Sequence, residues 1–144
     1  MEAEYRTGCV EETWAVARQF AAELEPGDIV ALEGDLGAGK TTFVQGLAAA
    51  LGSPCAVTSP TFCLAAEHRT DRMLLVHLDL YRLHGPDDVL DLGWEDYLAR
   101  GAALCVEWPD RAGDLIPQDA WHVGLAQGDA EDARVISFRK GISA

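Results

Sequence analysis

The sequence predicts an α/β fold, a mostly parallel sheet with helices on both faces and a C-terminal antiparallel hairpin. Three observations carry this. Apolar runs ending in carboxylates, Asp28–Glu33, Met73–Asp79 and Ala102–Glu107, alternate with helical stretches, as expected of parallel strands covered on both faces. A glycine-rich segment, Gly34–Thr41, joins the first run to a helical one. Near the end, Ala120–Gln127 and Ala133–Lys140 flank an acidic turn, Gly128–Asp132, and read as paired strands.

The elements follow in order. Val10, Trp14, Ala17, Ala21 and Leu24 recur at helical spacing, Glu11 and Glu12 occupy the first turn, and Pro26-Gly27 closes the segment, which predicts an amphipathic helix. Asp28–Glu33 reads as a buried strand and Thr41–Leu51 as the helix after the glycine segment, ending near Gly52. Ser53–Pro60 is turn-rich, Thr61–His68 reads as a strand, and Arg69–Arg72 makes a turn into the strand Met73–Asp79. A helical stretch is expected from about Pro86 to Arg100, before the strand Ala102–Glu107. With 144 residues and no Pro- or Ser-rich linker, the whole chain, 1–144, is expected to be a single domain with a real core.

The segment Gly34-Asp35-Leu36-Gly37-Ala38-Gly39-Lys40-Thr41 has the form G-x-x-x-x-G-K-S/T, a phosphate-binding loop, in the required order of strand, loop and helix. Glycines without a Cβ let several backbone N–H groups turn toward one anion, and the positive end of the following helix adds to the attraction. Lys40 is expected to reach the β- and γ-phosphates as a point charge, and Thr41 to ligate magnesium through its hydroxyl. Lys40 and Lys140 are the only lysines, and one of them stands where the loop needs it. The fold class is therefore P-loop NTPase-like.

Ligands of open α/β sheets bind beyond the carboxyl ends of the strands, where Asp79 and Glu107 both fall. One carboxylate beside Thr41 and the phosphates suffices for magnesium, which keeps several waters, and the other can orient an attacking water. His77, Asp79 and Tyr81 share one face of a straight strand, but zinc-type ligand spacing is missing, so His77 reads as a packed core histidine. Trp108 is a candidate for packing near the nucleotide, with core or rim packing the alternative. Guanine-reading N-K-x-D is absent around either lysine, so ATP is the expected nucleotide.

Taken in order, Gly34–Thr42, Thr58-Ser59-Pro60-Thr61-Phe62, His77-Leu78-Asp79-Leu80-Tyr81-Arg82 and Glu107-Trp108 resemble the bacterial TsaE family, over about Val10 to Arg134. The resemblance implies a small P-loop ATPase needed to make threonylcarbamoyladenosine in tRNA, at the adenosine beside the anticodon. It implies docking on the TsaD–TsaB complex, whose TsaD subunit performs the carbamoyl transfer, with slow hydrolysis alone and faster hydrolysis with those partners. By the same resemblance, Gly34, Asp35, Leu36, Gly37, Ala38, Gly39, Lys40, Thr41 and Thr42 hold the nucleotide, and Thr41 and Glu107 bind Mg2+. Asp79 positions water or metal, and Thr58–Phe62 and His77–Arg82 act as switches. A small-molecule kinase and a nucleotide-holding module without useful turnover use the same loop. The kinase reading lacks an arginine-rich lid, since the basic residues are scattered.

Net charge is −13, from 24 acidic and 11 basic residues, which makes direct attraction to a nucleic-acid backbone weak or repulsive. Contact with tRNA is expected only through a protein partner. Cys9, Cys55, Cys63 and Cys105 form no C-x-x-C pair, and Cys63 and Cys105 lie in apolar runs and read as buried thiols. The N-terminal Met1–Arg6 has no basic-then-apolar signal and no apolar run reaches the roughly 18 residues needed to cross a bilayer. No membrane association and a reducing cytoplasmic setting are the expectation.

Overall fold

The computed structural model describes residues 2–34, 39–52 and 65–141. Its strands are β1 (Glu2–Thr7), β2 (Ile29–Glu33), β3 (Ala65–Arg69), β4 (Leu74–Asp79), β5 (Ala103–Glu107), β6 (Trp121–Gln127) and β7 (Arg134–Lys140), and its α-helices are α1 (Val10–Ala21), α2 (Lys40–Leu51), α3 (Pro86–Asp91) and α4 (Trp94–Ala99). A stretch of 3-10 turns covers Pro109–Leu115. The strands form one seven-stranded sheet in the order β1-β7-β6-β2-β5-β4-β3. β6, β2, β5 and β4 are mutually parallel, and the outer strands β3, β7 and β1 pair antiparallel.

Alternation along the central strands sends side chains into two separate cores. Val30, Leu32, Leu75, Ala103 and Cys105 join α1 and α2 on one face, while Ile29, Val76, Leu78, Leu104 and Val106 join α3, α4 and the 3-10 turns on the other. Parallel strands buried on both sides explain the unbroken apolar runs. In the first core the rings of Phe20, Phe43, Trp121 and Phe138 meet, with Phe20 5.0 Å from both Trp121 and Phe138. Each such ring taken out of water contributes about 1.5–3 kcal/mol, which anchors α1 and α2 over β2 and holds the helix start above the strand ends.

The strand-to-helix order at β2 and α2, the apolar strands β4 and β5, and the hairpin β6–β7 match the sequence expectation. Other elements differ. β1 lies at the sheet edge, with Tyr5 packed edge-on against Phe138 at 5.8 Å, and its pairing with β7 joins the two ends of the described chain. The helix expected from Pro86 to Arg100 is two short helices, because Gly93 takes a left-handed φ of 101° and turns the chain between them, so that Val89 and Trp94 both enter the second core. The stripe of α1 is also rotated: Thr13, Val16, Ala17 and Phe20 are buried, while Trp14 stays partly exposed beside Gly46. Of the strand expected at Thr61–His68, only the part from Ala65 lies within the described residues. Among those residues no helix is long and apolar enough to cross a membrane.

Candidate functional site

β2, β4 and β5 are neighbours and parallel, so their carboxyl ends open on the same edge of the sheet, where α2 begins. Gly39 caps α2 at φ 97° and ψ 18°, without a side-chain hydrogen bond to the cap and without an acidic residue in the first turn. The N–H groups of that turn and the positive helix end therefore meet no competing anion from the cap or the first turn. Asp35, Leu36, Gly37 and Ala38, and the candidate switch Thr58–Phe62, lie outside the described residues. Gly34 and Gly39, at φ 151° and 97°, bracket the loop, and the left-handed conformation at Gly39 is one that any side chain strains.

Lys40 is only 6% exposed, and its Nζ donates to the Gly34 carbonyl at 2.9 Å and lies 3.5 Å from Glu107 Oε1. The ammonium thus bridges the two ends of the loop strand and reaches across to β5. The other Glu107 oxygen, Oε2, is 2.6 Å from His77 Nε2, and His77 is completely buried. A carboxylate only accepts, so when Glu107 is ionised the Nε2 proton belongs to the ring. Burial pushes the Glu107 carboxyl up, but the His77 bond and charge, with Lys40 behind them, outweigh burial and hold it below the ordinary glutamate value. Glu107 is thus a charged, hard oxygen donor at the loop.

Asp79 stands opposite Glu107 in the β4–β5 register, and its Oδ1 accepts the Tyr81 N–H at 3.1 Å, turning the chain after β4. Leu80 N–H donates to the Glu107 carbonyl at 3.2 Å, so the pairing extends one residue past Asp79. The expected strand-end carboxylates are therefore side by side. Thr41 and Thr42, in the first turn of α2, are half-buried. Trp108 has a left-handed φ of 58° and is rim rather than core: its ring lies 4.9 Å from that of Tyr81 and 5.5 Å from Lys40 Nζ.

Among the described residues no group of three or more His, Cys, Asp or Glu gathers together, and His77 is completely buried, as expected of a core residue. Magnesium asks for less from the protein. The Thr41 hydroxyl and the Glu107 carboxylate are hard oxygens at one helix start, a donor set that fits a cation whose remaining ligands are phosphate and water. Two residues of the site were missed from the sequence. One is His77 as the partner of Glu107, a contact between two separate strands. The other is Arg134, at the start of β7, which lies against Gly39: a Cβ there would sit 3.0 Å from the Arg134 Nε. Its guanidinium is tied to the carbonyls of Glu131 and Ala133 at 2.7 and 2.8 Å, and its place at a hairpin turn gave no signal toward the loop.

A family model described as "Threonylcarbamoyl adenosine biosynthesis protein TsaE" matches residues 7–136. A Bacillus subtilis protein named tRNA threonylcarbamoyladenosine biosynthesis protein TsaE is 39% identical over 135 residues, 94% of this chain and 84% of the relative. A protein of the same name from Aquifex aeolicus is 44% identical over 103 residues, 70% of this chain and 72% of the relative. The crystal structure of Bacillus subtilis YdiB superposes with a TM-score of 0.76 at 35% identity, covering 99% of this chain and 87% of the other. The family model, the relatives and the solved structure agree with the strand-end carboxylates and the sheet order, and the chain belongs to the TsaE family.

Proposed function

We propose that this protein is a Mg2+-dependent ATPase of the cytoplasm, required for threonylcarbamoyladenosine modification of tRNA at the adenosine beside the anticodon, and that it acts on the TsaD–TsaB complex. The observation that carries the reading is the convergence of Lys40, Glu107 and Asp79 at one sheet edge beneath the start of α2. Family membership supports the tRNA-modification role, and the net charge of −13 supports contact with tRNA through protein partners rather than directly.

Lys40 is the group that changes partners. In the structure it is shared between Gly34 and Glu107, and a triphosphate would offer it oxygens of higher charge density. The backbone of Gly34–Thr42 receives the phosphates, and Thr41 and Glu107 hold Mg2+, which supplies charge neutralisation on the phosphate oxygens. Asp79 orients the attacking water by accepting its hydrogen bond. The side-by-side placement of Asp79 and Glu107 separates these two tasks between neighbouring strands. Trp108, over Lys40 and against Tyr81, lies where a change at the lysine reaches an exposed aromatic pair, since Tyr81 is 56% exposed.

Calorimetry with ATP and ADP at millimolar Mg2+ tests binding, and phosphate release with and without TsaD and TsaB tests the role. The expected result is binding of both nucleotides, slow release alone, and faster release with the partners. Equal rates with and without them count against the tRNA-modification reading, and phosphorylation of an added hydroxyl acceptor would instead indicate a kinase.

A further inference from the structure

We propose that His77 is a positioning residue for Glu107: it clamps one carboxylate oxygen so that the other faces the phosphate loop, and it thereby sets the strength of the magnesium-dependent part of nucleotide binding. This rests on the ATPase reading above.

The geometry starts in the sheet register. Asp79 is paired with Glu107 and His77 with Cys105, so His77 lies one pleat behind Glu107 on the neighbouring strand. Leu75 and Cys105 bury in the core beneath α1 and α2, so alternation puts His77 and Glu107 on that same face, the one from which Lys40 approaches. Glu107 reaches back to His77 with Oε2 at 2.6 Å and forward to Lys40 with Oε1 at 3.5 Å. The two oxygens are divided between a partner that is fixed and one that is not. The imidazole is completely buried and cannot follow a ligand. The lysine is expected to leave for phosphate.

Burial of an imidazole in an otherwise apolar strand is costly, and the ring recovers only one bond. Among the described residues the buried His77 Nδ1 has no hydrogen-bond partner, so within them the ring is not a link in a wider structural network. An apolar side chain would fill the same space without an orphaned nitrogen. What the histidine supplies and an apolar residue does not is a donor aimed at Glu107. Once Lys40 has moved away, that donor keeps the carboxylate from turning about its terminal torsion, and Oε1 is presented in one orientation. Partners behind a metal ligand typically set its affinity in this way, and their loss weakens binding about 10- to 100-fold.

The test compares two amides. His77→Gln places its amide nitrogen near the position of Nε2, while His77→Asn reaches only the position of Nδ1 and falls short of Glu107. His77→Leu is the apolar control, and thermal melts confirm folding of each. ADP affinity is measured by calorimetry in EDTA and again at millimolar Mg2+. The expected result is equal affinity of all variants in EDTA, a magnesium enhancement kept by His77→Gln, and an enhancement reduced about tenfold or more in His77→Asn and His77→Leu. Equal enhancement in Gln and Asn variants, or affinity lost equally in EDTA and Mg2+, overturns the positioning role while the ATPase reading stands. If the wild-type protein itself binds ADP with no response to magnesium, the ATPase reading fails, and the role of His77 fails with it. Should the Leu variant not fold, the Gln and Asn comparison decides alone.

Discussion

Replacing Gly39 with alanine probes the phosphate loop through folding, without a ligand. Two costs add. Alanine in a left-handed conformation is disfavoured by about 1–2 kcal/mol, and Gly39 sits at φ 97°. The new Cβ would also lie 3.0 Å from Arg134 Nε and 3.5 Å from its Cδ. Arg134 cannot simply withdraw, since its guanidinium is held by the Glu131 and Ala133 carbonyls at 2.7 and 2.8 Å, and weakening such bonds costs about 0.5–1.5 kcal/mol. The sum is about 1.5–3.5 kcal/mol, which lowers the melting midpoint of a chain this size by about 5–14 °C. Urea and thermal melts of wild type, Gly39→Ala, Arg134→Ala and the double variant separate the two parts. In the Arg134→Ala background the glycine substitution should cost only the conformational part, about 1–2 kcal/mol. A Gly39→Ala protein that melts with the wild type refutes the left-handed cap, and an identical cost in both backgrounds refutes the contact with Arg134.

Four further outcomes are expected. Gly46→Ala gains helix propensity of about 1 kcal/mol but pushes a methyl to 3.0 Å from the Trp14 Cα, a backbone atom that does not yield, so overpacking of about 1–3 kcal/mol wins and melts show a net loss. Burial, with Glu107 nearby, pushes the Cys105 thiol from 9.0 up to about 12. Its proton is held more tightly when folded, so the associated stability is complete below pH 9.0 and falls about tenfold in folding constant per pH unit between there and about 12, and Cys105→Ala should flatten the alkaline limb of a pH–stability curve. Lys40→Ala should abolish most triphosphate binding in calorimetry, while Glu107→Ala should lower mainly magnesium-dependent turnover; a Glu107→Ala protein with normal magnesium-dependent hydrolysis refutes the metal assignment.

What could be read from the sequence was local. The loop glycines, Lys40 and the helix after them form one contiguous segment, and Asp79 and Glu107 end apolar runs whose direction follows from the β-α-β alternation. That made their shared edge predictable, down to two carboxylates side by side. Features set by pairing between distant segments were not readable. β1 is short and polar, and it is a strand because β7, from the far end of the chain, offers it an edge. His77 looked like core and is core, but its bond to Glu107 depends on the register of β4 against β5, which no spacing in the sequence encodes. The break at Gly93 was missed because the apolar period continues across it, and a lone glycine inside such a pattern is compatible with an unbroken helix. Arg134 looked like any hairpin residue until the sheet order placed β7 beside β6 and β6 beside β2.

The protein contacts of Lys40 also bear on how such a site would report nucleotide binding. An ammonium held at 2.9 Å by Gly34 and near the buried Glu107 carboxylate is already partly satisfied, so phosphate must outcompete protein oxygens rather than water. On the proposed reading this would lower affinity, since the energy of these contacts is subtracted from that of the new ones. The same subtraction would couple occupancy to conformation: a ligand shifts an equilibrium only by contacts that differ between two states, and the proposed reading gives the lysine two sets of partners. On the proposed reading, a bound phosphate would free one Glu107 oxygen and draw the cation from the Trp108 ring, now 5.5 Å away, next to Tyr81 on the exposed rim. On the proposed reading, a site that trades contacts through a buried carboxylate and an exposed aromatic pair would give up affinity for a surface that differs with occupancy.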